Sequence, residues 1–151
     1  MGDFDPLVEK MHIKASGCPN SCGQHHVASI GFHGAVVKGP GGQAPAYELF
    51  LGGRSNEEAG TKLGERVKAR IPAKRAPEAL KIVLDTYTEQ RNDGEEFAEY
   101  IDRVGVGVFE EKFGAMKAEL GPLDRDNIQS YMDWGKTVIY KLERGEGECA
   151  V

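Results

Sequence analysis

The sequence predicts a single α+β domain, in which a small mixed or antiparallel sheet carries about three packed helices. Before Pro72, short segments alternate between apolar and polar residues, a period typical of half-buried strands. After Pro77, apolar residues recur at helical spacing. Neither an internal repeat nor a linker interrupts the chain, so we expect one domain over 1–151 that ends in a polar tail at 143–151.

Four strands are predicted before the helices. In the first, Met11, Ile13 and Ala15 alternate with polar residues, and we expect these three side chains to face the core. The second and third strands are joined by a glycine-rich loop at 39–42, which favours a hairpin. The fourth strand places its apolar side chains inward and ends at Pro72. The predicted ranges are 11–15, 27–37, 47–51 and 66–71.

Three helices follow, and each carries an apolar stripe that we expect to face the core. Pro77 suits the first turn of the first helix, and the turn residues 92–94 end it. Gly105 ends the second helix, and Gly121 ends the third. A last strand is predicted at 137–142. The stripes are Leu80, Val83, Leu84 and Tyr87, then Phe97, Tyr100, Ile101 and Val104, and then Phe109, Phe113, Met116 and Leu120.

The composition argues against several classes of protein. A formal net charge of −5 disfavours a nucleic-acid binder, which is usually basic. No run of about 18 apolar residues is present, so no membrane span is predicted. The first residues lack the apolar centre of a secretory signal, and we therefore expect a cytoplasmic protein. Because three cysteines do not make a disulfide framework, the close pair Cys18 and Cys22 is interpreted as metal-binding or catalytic.

The candidate chemistry lies in residues 17–23, a turn with the sequence Gly-Cys-Pro-Asn-Ser-Cys-Gly. Cysteine thiolates are the usual ligands of iron–sulfur clusters, and one short loop can present two of them. Gly17 and Gly23 remove side chains, so the backbone can approach a bulky cofactor closely. Asn20 adds an amide that can hydrogen-bond to a sulfur or a carboxylate.

The spacing of Cys18 and Cys22 alone leaves three interpretations open. In the first, the two cysteines are buried and inert, since a C-x3-C spacing is common by chance. In the second, they bind zinc, and His25 and His26 complete a set of four ligands. In the third, they ligate an iron–sulfur cluster.

A longer string of residues narrows these alternatives. The sequence Ser-Gly-Cys-Pro-Asn-Ser-Cys-Gly-Gln at 16–24, followed by Val-Ala-Ser-Ile-Gly-Phe-His-Gly at 27–34, closely resembles the signature of the nitrite/sulfite reductase family. Ser29 stands where that family most often has an acidic residue. The similarity extends over most of the chain, and continues at 47–53, 63–64, 71–72, 77–91, 94–97, 103–105, 133–135 and 145–149.

The resemblance implies a ligand set. In this family, a C-x5-C pair and a C-x3-C pair hold a [4Fe–4S] cluster, and the last cysteine also bridges the cluster to the sirohaem iron. Carried over, Cys18 is a cluster ligand, and Cys22 is both a cluster ligand and the bridging thiolate. No residue of this chain is assigned a catalytic role. The positions expected to line the sirohaem are Asn20, Gln24, Gly17 and Gly23.

The resemblance also implies the six-electron reduction of nitrite or sulfite, with electrons from ferredoxin or a flavoprotein. The sequence departs from the family because no cysteine precedes Cys18, and Cys149 stands alone in the polar tail. We therefore expect the C-terminal, cofactor-binding region of a longer reductase, inactive and without cofactors in isolation. The alternative is a non-catalytic metal- or iron–sulfur-binding module, assembled across a homodimer from two Cys18 and Cys22 pairs. The sequence does not distinguish nitrite from sulfite.

Two further groups of polar residues have competing interpretations. A row of basic residues has three interpretations. It would contact sirohaem, which bears eight carboxylates, or dock an acidic ferredoxin, or form a solvated surface. His12 and His33 lie in strand-like patterns, and we interpret them as sheet residues rather than ligands. The basic row is Arg66, Lys68, Arg70, Lys74 and Arg75.

Overall fold

A four-stranded mixed sheet organises residues 5–142, the part of the chain that the computed structural model describes. In chain order, the strands are β1 (Ile13–Ser16), β2 (Ile30–Gly39), β3 (Gly42–Leu51), β4 (Arg54–Asn56), β5 (Gly60–Lys62) and β6 (Glu65–Pro72). The sheet has the order β1-β2-β3-β6, and β4 pairs with β5 in a small separate hairpin. β1 runs parallel to β2 and the other neighbours are antiparallel, so the predicted mixed sheet is confirmed.

Four α-helices complete the described part of the chain: α1 (Pro6–Glu9), α2 (Ala76–Gln90), α3 (Phe97–Val104) and α4 (Gly107–Ala118). Pro77 lies in the first turn of α2, where a backbone N–H would have no partner within the helix. Glu96 and Glu99 form a capping box at the start of α3. The last three helices are the predicted ones. No helix in residues 5–142 is both long enough and apolar enough to cross a bilayer.

One face of the sheet packs against the helices and forms the main core, and we call it the helix face. Alternate residues of β2 and β3, such as Ile30 and Leu49, contribute to this core together with the apolar stripes of the helices. Burying one such side chain contributes roughly 1.5–3 kcal/mol. The predicted stripes are confirmed in this core except for Leu120, which is buried in a second cluster with Tyr131. Leu80, Leu84 and Val104 are half-buried and pack against the main core, and the other stripe residues are buried in it.

The opposite face, which we call the loop face, is covered by two separate segments. Near the turn between β2 and β3, Tyr131 packs on Val37 and Ala44. Its hydroxyl accepts a hydrogen bond from the N–H of Gly41 at 2.9 Å and donates one to the carbonyl of Gly121 at 2.6 Å. At the other end of β2, the loop face lies beneath the residues that follow the cysteine turn.

The apolar residues of β1 lie on the predicted face, since Ile13 pairs with Ile30 and Ala15 with Phe32, but the predicted burial of that face is wrong. Met11 packs against the core, but Ile13 is 49% exposed and Ala15 is also exposed, whereas Ser16 is buried. The reason is that the chain after β1 folds back over the face that carries Lys14 and Ser16. A loop therefore buries one face of this edge strand, and the alternation of apolar residues in β1 does not predict which face that is.

The strand predicted at 137–142 is also wrong. Met132 and Ile139 form a single bridge, and Val138 is 67% exposed. The segment extends no edge of the four-stranded sheet, so its apolar residues have little to pack against. The polar tail at 143–151, including Cys149, lies outside the described residues.

Two differences concern the hairpins. β3 begins at Gly42 rather than at 47, because Gly42 already pairs with Gly39 across a tight turn. The β4–β5 hairpin is not expected from the sequence, since the polar segment 54–62 shows no apolar alternation.

Candidate functional site

The cysteine loop, residues 17–24, connects the end of β1 to a short 3-10 helix (His25–Val27) that precedes β2. Two of its non-glycine residues adopt left-handed backbone conformations, Ser21 with a φ of 60° and Gln24 with a φ of 57°. Such conformations are costly for residues with a side chain. They are held because Gln24 N donates to Ser21 O at 2.7 Å and Lys14 Nζ donates to Gln24 Oε1 at 2.9 Å. The backbone on both sides of Cys22 is therefore fixed by this chain.

Glycines in β2 let the cysteine loop and the residues after it lie directly against the sheet. A Cβ at Gly31 would lie 1.9 Å from the carbonyl oxygen of His25. A Cβ at Gly34 would lie 2.2 Å from the carbonyl oxygen of Gly17. Since both obstacles are backbone atoms, a side chain at either position would displace the loop.

The two glycines of the cysteine loop itself differ. A Cβ at Gly23 would lie 2.3 Å from the carbonyl oxygen of Ala15, so the packing of this chain requires glycine there. A Cβ at Gly17 would meet no atom of the described chain within 4 Å. At Gly23, contacts within this chain already require glycine. At Gly17 no such contact exists, and the open space beside it leaves room for a cofactor.

His25 anchors the end of the cysteine loop. Its side chain is fully buried, and its Nδ1 lies 2.8 Å from Ser16 Oγ, which also accepts the N–H of Gly23. Burial lowers the pKa of His25 to about 4, and the neighbouring rings of His26 and His33 add to this effect. His25 is therefore neutral at neutral pH. Its Nε2 has no hydrogen-bond partner among the described residues.

An aromatic cluster holds this segment on the loop face. The ring centroid of His25 lies 4.1 Å from that of His26, 5.0 Å from that of His33 and 5.1 Å from that of Phe50. His33 is a buried residue of β2, as predicted, whereas His12 precedes β1 and its side chain is exposed. The histidines beside the cysteine loop are thus packing residues of the sheet.

The two cysteines lie where they can reach a ligand outside the chain. Cys22 is exposed, Cys18 is half-buried, and both are free thiols; Asn20 between them is exposed. Residues 5–142 contain no group of three or more His, Cys, Asp or Glu side chains arranged to hold a metal ion. A zinc site completed by His25 and His26 is therefore not preformed. A [4Fe–4S] cluster takes four thiolates, so the two sulfurs of this loop fit half of its ligand set.

Two arginines of the basic row, Arg66 and Arg70, form ion pairs with one carboxylate of this chain. The Nε atoms of Arg66 and Arg70 lie 3.0 Å and 2.8 Å from carboxylate oxygens of Glu48. Glu48 is buried, and its Oε2 also lies 3.2 Å from Nε2 of His33. Burial alone would raise the pKa of Glu48, but the hydrogen bond from Arg70 and the nearby positive charges outweigh it and lower this pKa.

Two more members of the basic row are engaged as well. Arg75 pairs with Glu78 and Glu119, and Nζ of Lys74 lies 4.4 Å from the ring centroid of Trp134. These contacts give Arg66, Arg70, Lys74 and Arg75 a role in the fold, whereas the side chain of Lys68 is exposed. The contact of the basic row with sirohaem or with ferredoxin stays a prediction.

A cleft of about 460 Å³ opens beside the cysteine loop, and Gln24 is part of its wall. Lys10, Lys14 and Arg54 bring positive charge to this wall. They come from the end of α1, from β1 and from β4, so only folding places them together. No spacing in the sequence links the three positions, so the sequence alone does not reveal them. The one available signal is that Arg54 directly follows the family-like segment 47–53.

Comparison with known proteins adds an independent finding. The family model described as the nitrite and sulphite reductase 4Fe-4S domain matches residues 3–120. The match includes the cysteine loop, the four-stranded sheet and all four α-helices.

Individual relatives agree with this family. The sulfite reductase (NADPH) hemoprotein beta-component of Geobacillus thermodenitrificans is 33% identical over 98 residues, which cover 65% of this chain and 15% of the relative. That of Staphylococcus carnosus is 32% identical over 106 residues, covering 70% and 17%. The structure of the Mycobacterium tuberculosis NirA protein superimposes with a TM-score of 0.57 at 28% identity, covering 62% of this chain and 17% of that one. The chain thus spans about one sixth of the length of these relatives.

Proposed function

Because this chain belongs to the nitrite and sulphite reductase 4Fe-4S domain family, we propose that its cysteine loop supplies two of the four thiolates of a [4Fe–4S] cluster in a larger oxidoreductase. Cys18 is a cluster ligand. Cys22 is a cluster ligand and also the thiolate that bridges to a sirohaem iron. The remaining thiolates come from another segment of the reductase, for which this chain is the C-terminal cofactor-binding region.

The observation that carries this proposal is the rigid presentation of two accessible sulfurs. Cys18 and Cys22 are free thiols on a loop whose backbone is fixed by Lys14 and by close contacts with β2. Ligands held in place before binding lose less conformational entropy when the cluster forms. A loop built in this way favours a resident inorganic cofactor over a transiently bound ion.

Other residues of the cysteine loop are proposed to contact the sirohaem. Gly17 borders open space, so a macrocycle can approach the backbone there. Asn20 is exposed beside the sulfurs, and Gln24 is held by Lys14. Gly23 contributes indirectly, because its N–H bonds to Ser16 and keeps the residue after Cys22 in place.

The reaction proposed for the whole reductase is the six-electron reduction of nitrite or sulfite, for which the bound sirohaem and cluster supply the electron-transfer chemistry. The electrons come from ferredoxin or a flavoprotein. We place the reductase in the cytoplasm, where thiols stay reduced. The isolated 151-residue chain is expected to be inactive and to hold neither cofactor, because it carries only half of the cluster ligands.

The test replaces each cysteine in a polypeptide that joins this chain to the remaining segments of a related reductase. Cys18→Ser and Cys22→Ser are each expected to abolish bound iron and acid-labile sulfide, and Cys22→Ser also to remove the sirohaem absorption coupled to the cluster. Cys149→Ser is the matched control and is expected to keep both cofactors. Full retention of iron and sulfide after both loop cysteines are replaced would refute the proposal.

Measurements on the isolated chain distinguish the proposed function from the homodimer alternative. That alternative requires a dimer that forms only with bound metal and disappears in Cys22→Ser, as measured by light scattering and metal content. Our proposal expects no metal-dependent dimer. A stable brown preparation of the isolated chain with sirohaem bands would contradict the expectation that it lacks its cofactors.

A further inference from the structure

We propose that the groove between β6 and α4 binds an extended acidic segment of a partner protein, which lies along the outer edge of β6. We call this feature the edge groove, and the argument for it uses Arg66, Lys68, Arg70, Glu110 and Lys117 from its walls. None of the residues that line the edge groove belongs to the cysteine loop, so this binding site goes beyond the proposed function.

The outer edge of β6 carries a backbone donor that the sheet does not use. Within residues 5–142, β6 pairs only with β3, and the register between them shifts between Glu48 and Phe50, opposite the stretch that contains Lys68. The N–H of Lys68 donates to Oε1 of Glu110 in α4 at 3.0 Å. Since strand N–H groups lie in the plane of the sheet, this one points away from β3. A carboxylate thus occupies the position that an acceptor from an added strand would take.

The charge of the edge groove is opposite to that of the whole chain. Its walls carry four cations and one carboxylate, whereas the chain has a formal net charge of −5. Lys68 and Lys117 are exposed and form no ion pair with a described residue. Arg66 and Arg70 share the single carboxylate of Glu48, and about half of each arginine side chain stays exposed. The complementary partner is therefore negatively charged.

The shape of the edge groove fits an extended chain. The groove has a volume of about 440 Å³ and shares Arg70 and Lys117 with a second groove of about 460 Å³, whose wall adds Lys38. From Arg66 to Arg70, the strand spans roughly 13 Å, the length of about five extended residues. In the opposite wall, a Cβ at Gly114 would meet no atom of the described chain within 4 Å, which leaves room for a second backbone.

The charges and the free N–H together select the occupant. In a pair of two β6 edges, Arg66, Lys68 and Arg70 of one copy would lie opposite those of the other, and like charges so placed are destabilising. A folded ferredoxin, one partner predicted for the basic row, would match the charges but not the outward N–H. An extended acidic segment matches both, because its carbonyl oxygens accept from the strand edge while its carboxylates face the cations.

The experiment measures binding of a short fluorescein-labelled peptide of alternating glutamate and valine to the full 151-residue chain by fluorescence anisotropy. Lys68→Gln and Lys117→Gln are each expected to raise its Kd roughly two- to fivefold, the effect of losing one exposed charge pair. Lys136→Gln, at an exposed lysine outside the edge groove, is the matched control and is expected to leave Kd unchanged. Lys68→Arg is expected to retain binding.

Glu110→Gln is expected to change affinity in the opposite direction. Its amide oxygen can still accept the N–H of Lys68, but the walls lose their only described carboxylate, so Kd is expected to fall roughly two- to fivefold. A residue that only stabilises the fold would not tighten binding when replaced. Circular dichroism checks that each variant folds, and if Lys68→Gln does not, Glu110→Gln and Lys117→Gln decide the outcome.

A second peptide tests the contribution of the strand edge. Proline replaces each valine in it, so its charge is unchanged but it cannot pair as a strand, and it is expected to bind roughly tenfold more weakly. The first peptide is also expected to shift the amide NMR signal of Lys68. A signal that stays in place while the peptide binds would contradict the proposed position of the segment.

Three further results would overturn the proposal: no binding of the glutamate–valine peptide, equal Kd values in Lys68→Gln and Lys136→Gln, or equal affinities for the two peptides and a single-stranded oligonucleotide. The last would mark an unspecific surface for polyanions. The double variant Cys18→Ser, Cys22→Ser is expected to bind the peptide unchanged. Failure of the edge groove therefore leaves the proposed cluster ligands untouched, and failure of the ligand set leaves the edge groove untouched.

Discussion

The two faces of the four-stranded sheet are stabilised in different ways. On the helix face, large apolar side chains such as Ile30, Leu49 and Phe113 are buried together. On the loop face, beneath the cysteine loop and the residues after it, the buried side chains include Glu48, His25 and His33. There, the backbone carbonyl of His25 rests directly on Gly31 of β2. The helix face relies on hydrophobic burial, and the part of the loop face beneath this segment relies on polar contacts and close backbone approach.

This difference separates stability from the geometry of the site. Hydrophobic burial is roughly proportional to area and tolerates small changes in shape. Glycine–carbonyl contacts tolerate no added atom, and the hydrogen bonds of Ser16 and Gly23 have fixed directions. The position of Cys22 is therefore set by the loop face, while most of the folding free energy comes from the helix face.

The largest expected effect is on the helix face. Phe113 is fully buried in α4, and Phe113→Ala is expected to lower the free energy of unfolding by about 3–5 kcal/mol. Urea denaturation at pH 7 and at pH 5 measures it, and the loss is expected to be similar at both. Leu63→Ala, at a side chain that is 64% exposed, is the control and is expected to change stability by about 0.5 kcal/mol or less. A loss confined to the lower pH would contradict the comparison.

The second effect concerns pH on the loop face. The pKa of His25 is about 4 in the folded chain against an ordinary value of 6.5, so the unfolded chain binds the extra proton first as pH falls. The stabilising contribution is complete above pH 6.5 and is lost as pH falls to 4, by roughly 3 kcal/mol. Unfolding free energies of His25→Asn, whose amide can still bond Ser16, are expected to fall less over this range.

His12→Asn is the control for that measurement, because His12 is exposed. It is expected to keep the pH dependence of the unmodified chain. If His25→Asn and His12→Asn gave the same slope of stability against pH, burial of His25 would not be the source of the acid sensitivity.

The smallest effect tests the close backbone contacts. A Cβ at Gly31 meets the carbonyl of His25, so Gly31→Ala is expected to cost about 1–3 kcal/mol. Gly17→Ala is the matched control, with no obstacle within 4 Å, and is expected to change stability by about 0.5 kcal/mol or less. Thermal unfolding compares the two. Stabilisation by Gly31→Ala, as expected for an alanine in an ordinary strand, would show that the loop does not need this contact.

Local patterns predict most of the helix face, since each helical stripe is a property of its own segment. The alternation of apolar residues gave wrong predictions where burial depends on segments distant in the sequence. Ile13 and Ala15 alternate correctly but are exposed, because the returning loop covers Ser16 on the other face. The predicted strand at 137–142 fails for a related reason, as alternation has no effect without a neighbouring sheet edge.

The candidate site also has one part that the sequence predicts and another part that it does not. The cysteine turn is recognisable because its residues are contiguous, and the family resemblance it carries is confirmed. Pairing of Arg66 and Arg70 with Glu48 is not readable from the sequence, since the partners lie on different strands. The cations in the wall of the cleft beside the cysteine loop, Lys10, Lys14 and Arg54, are not readable from the sequence for the same reason.

The sequence by itself determined the α+β class, the three long helices and the two cysteines on one turn, because these depend on periodicity and on neighbours in the chain. Only the tertiary structure decided which cations stay unpaired, which side of β1 is covered and why Gly23 and Gly31 lack side chains. Those features depend on contacts between distant segments, and such contacts exist only after the chain has closed its loops.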